Sequence, residues 1–177
     1  VPVHSVRVHS TKDMARRAVD LCVELLHATP TPESVARVLR SHGEPSPMPT
    51  VGDVEDMRSA AARLEEVFGA SSVPVAASLL NRMLAHPPRL TSHEGTAWHL
   101  HADSSDEAAW GEWFLASSAL ALAVLLAEHQ RVPGGLCASA ACRTPYLDLG
   151  GGSPQRFCSA RCATRERVAA HRARTTA

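Results

Sequence analysis

Four of the five cysteines in this 177-residue chain lie in its last 41 residues, as two close pairs, Cys137-x4-Cys142 and Cys158-x3-Cys162, with fifteen residues between them. Few patterns restrict a fold so tightly. A structural zinc ion takes four sulfur or nitrogen ligands tetrahedrally, and two short-spaced pairs let a loop knuckle and a turn of helix supply two each. Cys158 and Cys162 are four apart, so on a helix they project from one face. Between the pairs, Pro145 and the run Gly150-Gly151-Gly152 let the chain turn back. The expected layout is treble-clef-like: a knuckle, a short hairpin of residues 146–148 with 155–157, then a helix. Four cysteine ligands leave no open coordination position, so Zn2+ here is expected to act as a staple and not as a catalyst.

A disulfide framework is the competing reading of four close cysteines. Residues 1–12 lack the apolar run of a signal peptide, and no stretch of eighteen apolar residues occurs. The expected location is therefore cytoplasmic, away from the membrane, where thiols stay reduced and clustered cysteines point to metal. The tail also has few large apolar residues and needs a staple in place of a core.

The net charge of zero conceals a division: residues 1–130 carry 10 Lys/Arg against 16 Asp/Glu, whereas residues 131–177 carry 8 Arg against 2 acids. An acidic body repels a polyanion and a basic tail attracts one, so the tail is the expected nucleic-acid surface. The same numbers also allow tail and body to attract each other.

Upstream of the tail the chain reads as mainly α with a little β. Residues 1–12 alternate imperfectly, enough for a short edge strand or a frayed end. From Asp13 to Thr29, Met14, Ala18, Leu21, Cys22, Leu25 and Leu26 recur at helical spacing, with Cys22 as a small buried hydrophobe. Thr31-Pro32-Glu33 is a helix start with a threonine cap and proline in the first turn. Three prolines in residues 44–49 make a loop, and Thr50 with Asp53 caps a helix to Phe68. A short helix covers residues 75–86. Residues 89–102 read as two strands about a Glu94-Gly95 turn, with Trp98 and Leu100 on one face and His99 and His101 on the other. A His-x-His strand can bind metal, and His93 is close in sequence, but no carboxylate or further ligand stands at a usual spacing. The longest helix is expected over residues 104–129, opened by Ser104-Ser105-Asp106-Glu107. It is apolar nearly all round through Trp113–Leu126 and thus central to the N-terminal domain. Val132-Pro133-Gly134-Gly135 breaks it, placing a domain boundary between residues 1–131 and 132–177.

Past Cys162, successive residues advance about 100° around a helix. Cys158, Cys162, Ala169 and Ala173 then share the side expected to close on metal and hairpin; Arg161, Arg165 and Arg172 flank it, and Arg167, His171 and Arg174 point away. Arginine forks suit phosphates and guanine edges, and the tail contains no lysine. Arg165, just after a ligand, is equally suited to bonding the knuckle backbone.

Taken together, Cys137-x4-Cys142, Tyr146-x-Asp148, Arg156-Phe157-Cys158-Ser159 and Cys162-x-x-Arg165-x-Arg167-Val168-x-x-His171-Arg172-x-Arg174 resemble the CGNR zinc finger. Ala163-Thr164 stand where that family's name motif has Gly-Asn, and Glu166 adds an acid. Members pair the finger with an N-terminal ABATE-type helical domain and are regarded as bacterial, stress-related transcription regulators. Upstream the likeness is one of layout. The resemblance implies Zn2+ at the four cysteines, DNA at Arg156, Arg161, Arg165, Arg167, His171, Arg172 and Arg174, and an N-terminal domain that senses a small-molecule effector or forms a homodimer. The alternatives are a zinc-stapled protein-interaction module and a small-molecule binder or enzyme around Trp98, Trp110, Trp113 and Phe114. No paired nucleophile and base and no Gly-rich phosphate loop supports the last, so no enzyme is expected.

Overall fold

The computed structural model describes residues 10–92, 98–150 and 153–175. Five helices form a bundle: α1 (Thr11–His27), α2 (Pro32–Ser41), α3 (Val51–Phe68), α4 (Val73–Met83) and α5 (Trp110–His129). Their starts follow local chemistry. Ser10 caps α1 by accepting from the Asp13 N–H, while Thr31 with Ser34 and Thr50 with Asp53 form reciprocal capping boxes on α2 and α3. Each cap satisfies amide donors that the first helical turn leaves unpaired.

α5 is the axis of the bundle, with α1, α3 and α4 packed around it. Phe114, Leu122 and Leu125 are fully buried there, with Leu21 and Leu25 of α1, Leu39 of α2, Met57 and Leu64 of α3 and Leu80 of α4 in the same core. By length and composition α5 would pass for a membrane span; here every residue from Gly111 to Leu126 is buried or half-buried. It begins at Trp110, six residues later than the Ser-Ser-Asp-Glu run suggests, because that run is used elsewhere. Asp106 pairs with Arg89 and His101, and the Ser104 N–H is accepted by Glu112 from within α5. The aromatic residues of this region are packing groups: Phe114 is core, and Trp110 and Trp113 meet edge to face at 5.3 Å. Cys22 is buried, its Sγ 3.8 Å from the Ala61 carbonyl, and burial pushes its thiol pKa up.

Between α4 and α5, β1 (Arg89–Thr91) pairs antiparallel with β2 (His99–His101), Leu90 opposite Leu100. His93 and the Glu94-Gly95 turn lie outside the described residues, as do residues 1–9 of the expected N-terminal strand. The apolar face of this hairpin is the outer one. Trp98, Leu90 and Leu100 are 66 %, 65 % and 47 % exposed, while His99 and His101 are partly sheltered.

A second hairpin joins β3 (Gly134–Leu136) to β4 (Pro145–Leu147). It replaces the expected pairing of 146–148 with 155–157, which form no ladder; Gln155 is held to Asp148 and Tyr146 by single hydrogen bonds. Gly134 and Gly135 are the reason the strands can meet. A Cβ on Gly134 would lie 2.0 Å from the Tyr146 carbonyl oxygen, and one on Gly135 would lie 2.7 Å from the Tyr146 hydroxyl. The hairpin rests on α1 and α3. Val132, Leu136, Leu147 and Leu149 pack against the bundle core, and Pro133 is fully buried. The last element, α6 (Ala160–Thr175), makes no comparable packing with any helix of the bundle.

α1 carries a charge into the bundle. Arg17 of α1 is buried, bonded to Glu44 at 3.2 Å and to the Ser117 hydroxyl at 3.0 Å, with its guanidinium 4.3 Å from the Trp113 ring centroid. It ties the proline-rich loop to α1 and α5. Glu44→Ala leaves that charge inside without its partner and is expected to cost about 3 kcal/mol. Arg17→Met keeps the packing, releases the partly exposed Glu44 to water and is expected to cost about 1 kcal/mol or less. Urea unfolding of the two variants measures the difference; equal losses would contradict this role for the pair.

Candidate metal centre and basic helix

The second hairpin holds both ends of the first knuckle. Cys137 follows β3, Thr144 precedes β4, and the Cys137 N–H bonds the Thr144 carbonyl at 2.9 Å, continuing the ladder into the loop. Within the loop the Ser139 carbonyl accepts from Cys142 at 2.9 Å and Arg143 at 3.2 Å, and Arg143 takes a left-handed φ of 57° that closes the turn. The Ala138 N–H bonds the Arg156 carbonyl at 2.8 Å, drawing the second cysteine pair towards the first. Ser159 then opens α6 by accepting from the Cys162 N–H at 3.3 Å. Cys158 is therefore not on the helix, as its spacing suggests, but just ahead of it. The local turn still aims both sulfurs at one point.

The four Sγ atoms lie within 4.8 Å of one another, with Cys142 to Cys158 at 3.6 Å and Cys158 to Cys162 at 3.7 Å. Tetrahedral zinc, with Zn–S bonds of about 2.3 Å, sets its sulfurs about 3.8 Å apart. The cage thus has the size of a Zn2+ site. Cys137 and Cys162 are buried, Cys142 and Cys158 half-buried, and all five cysteines are free of disulfides. The Thr144 hydroxyl, 3.1 Å from the Cys142 sulfur, helps to draw that thiol down to about 6. At Cys162 the hydrogen bond from Ser159 acts in the same direction but is outweighed by burial and by the neighbouring sulfurs, which raise the thiol to about 11. Cysteine ligates zinc as thiolate, so metal uptake by the cage is accompanied by proton release.

Around the sulfurs lies a polar clasp. Arg165 reaches back to the Ser139 hydroxyl at 2.8 Å and to the Cys162 sulfur at 3.4 Å, while the same hydroxyl donates to Glu166 at 2.6 Å. Four thiolates around a divalent cation leave a double negative charge, which the Arg165 guanidinium partly offsets. Arg165 thus turns to the knuckle, but through the Ser139 hydroxyl and the Cys162 sulfur and not, as the sequence suggests, through the knuckle backbone. Glu166, an extra acid in the sequence reading, fixes α6 to the fully buried Ser139. Ser139 and Thr144 went unnoticed in the sequence; their only signal was position inside the knuckle.

From Thr164 onward, α6 is exposed apart from Glu166. Ala169 and Ala173 do not close on the finger as the helical wheel suggests, because no hairpin lies beneath them. Arg161, Arg167, His171, Arg172 and Arg174 are all exposed, and Arg156 lies 5.6 Å from the Phe157 ring centroid just ahead of the helix. Among the described residues, Arg161, Arg167 and Arg174 form no ion pair with a carboxylate of the bundle.

A knuckle on a hairpin, a second cysteine pair at a helix start and four converging sulfurs define a structural, four-cysteine zinc finger. Residues 135–175 match the family described as the CGNR zinc finger, from within β3 to the end of α6 and including all four cysteines. A comparison with curated proteins gives no match.

The purified protein is expected to hold one zinc per chain. Because a helix of this length is marginal on its own, chelation is expected to melt α6 and leave α1 to α5 folded, as circular dichroism would record. Removing the guanidinium beside the sulfur, in Arg165→Met, is expected to weaken zinc about 10-fold or more in competition with a chromophoric chelator. Unchanged affinity would separate the clasp from the metal.

Proposed function

We propose that this protein is a zinc-dependent DNA-binding regulator, acting in the bacterial cytoplasm and without enzymatic activity. The observation that carries this reading is an arginine-bearing helix that stands clear of the acidic bundle. Zinc anchors α6 by its first turn, and the rest of the helix offers Arg161, Arg167, Arg172 and Arg174, with Arg156 at its base, to phosphates and base edges. Arg165 is occupied at the knuckle, so its part is to hold the helix and not to read DNA. His171 lies on the same exposed helix.

The N-terminal bundle, which the resemblance likens to an ABATE-type domain, serves in this reading as the sensing or dimerising part. An open, mainly apolar-lined groove of about 470 Å3 between α3, α4 and α5, with Arg63, Arg82, His86 and Glu112 at its edge, is where this reading would look for an effector.

An electrostatic DNA contact has a measurable signature. With Arg156, Arg161, Arg167, Arg172 and Arg174 on phosphates, log K against log salt is expected to fall with a slope of about −4.5, and Arg167→Ala with Arg174→Ala should flatten it by about 2. Fluorescence anisotropy with the zinc-loaded protein and duplex DNA over several salt concentrations measures both. No binding, or a slope indifferent to these arginines, would contradict the reading and favour an acidic protein partner for α6.

A further inference from the structure

The four cage sulfurs are alike in chemistry and unlike in access. A cysteine binds zinc as thiolate, and the thiolate is also the form that attacks an oxidant, so ligation makes nucleophiles of all four. Exposure then decides which of them an oxidant reaches. Cys137, directly after β3, is fully buried. Cys162 is 6 % exposed in the first turn of α6, with the Arg165 guanidinium 3.4 Å from its sulfur. Cys142 and Cys158 are the half-buried two.

These two come from different halves of the motif. Cys142 is in the turn that closes the knuckle, Cys158 in the bend that precedes α6, and neither is held in a strand or helix. Their sulfurs stand 3.6 Å apart. A disulfide bond is about 2.05 Å long, so joining them needs a closure of about 1.5 Å, which two short irregular segments can take up. Cys158 is also 3.7 Å from Cys162, but that partner is fixed in a helical turn by the Ser159 cap on its N–H.

We propose that Cys142 and Cys158 are an oxidant-sensitive pair, which hydrogen peroxide joins as a disulfide with release of the zinc and loss of the anchor of α6. One of the two thiolates attacks a peroxide oxygen; the O–O bond breaks, hydroxide leaves and takes a proton from solvent, and the sulfur becomes a sulfenic acid. The other thiolate attacks that sulfur, the S–S bond forms, the S–O bond breaks, and a second hydroxide leaves as water. Two electrons pass from the sulfur pair to one peroxide, giving two waters. The cage then keeps Cys137 and Cys162 as its only thiolates, too few to close a tetrahedral site. The exposed length of α6 is marginal without that anchor. Because the new bond links the knuckle to the base of α6, the four sulfurs stay within reach of one another, and reduction with zinc present restores the cage. The inference rests on the zinc site and does not depend on DNA binding.

The test treats the full, zinc-loaded chain with hydrogen peroxide, follows zinc with a chromophoric chelator, and maps the first disulfide by mass spectrometry after alkylation. Loss of one zinc per chain is expected together with a Cys142–Cys158 bridge, while Cys22, Cys137 and Cys162 are still alkylated as free thiols. Circular dichroism should record the loss of α6 with α1 to α5 retained, and dithiothreitol with added zinc should restore the signal. Mapping needs no variant, so a finger that fails to fold when a ligand is replaced does not blunt it. Zinc retained under a peroxide excess that oxidises the chelator-treated protein, or a first bridge between any other two cysteines, would overturn the proposal.

Discussion

Four sulfurs held within 4.8 Å of one another are the constraint on which the C-terminal part depends. As thiolates they repel; as thiols they make only weak hydrogen bonds. A divalent cation at their centre turns a crowded loop into a closed tetrahedron and fixes three things at once: the knuckle of residues 137–144, the approach of residues 156–158, and the first turn of α6. The remainder of α6 is largely exposed and, among the described residues, has no extensive packing against another element. Its direction is set at Cys162, by the metal and by the Arg165–Ser139–Glu166 clasp.

The finger is joined to the bundle through packing as well as sequence. Glycines at 134 and 135 let β3 lie close against Tyr146, and this closeness lets a three-residue strand pair present Leu136 and Leu147 to α1 and α3. Leu136 reaches the end of α3, where a Cβ on Gly69 would lie 3.3 Å from its Cδ1. Arg131 and Asp148 clasp the base of the hairpin at 3.0 Å. The first cysteine pair therefore hangs from a rigid platform, and the second pair and α6 are brought to it.

Much of this was legible in the sequence because the signals were local. Threonine caps at 31 and 50, the proline-rich loop and the cysteine spacing each act over three to six residues, and each lies where the sequence reading placed it. Errors arose where a distant partner decided the outcome. The start of α5 moved because Asp106 answers Arg89 and His101 across the hairpin. The finger hairpin moved upstream because Gly134-Gly135, which read as a helix breaker, is itself a strand that only Tyr146 explains. Cys158 fell outside α6 because Ser159, and not the i to i+4 rule, sets the helix start. The closeness of Asp103 and Asp106 to His101 was invisible for the same reason: sequence spacing does not report which side chains a two-stranded ladder brings together.

The central claim is that the four cysteines, and no other residues, enclose one zinc ion. Zinc K-edge X-ray absorption on the purified protein tests it directly. A single shell of four sulfurs at about 2.3 Å is the expected result. A shell that includes nitrogen or oxygen at about 2.0 Å in place of any sulfur, or protein isolated with its cysteines in disulfides and no zinc, would contradict it.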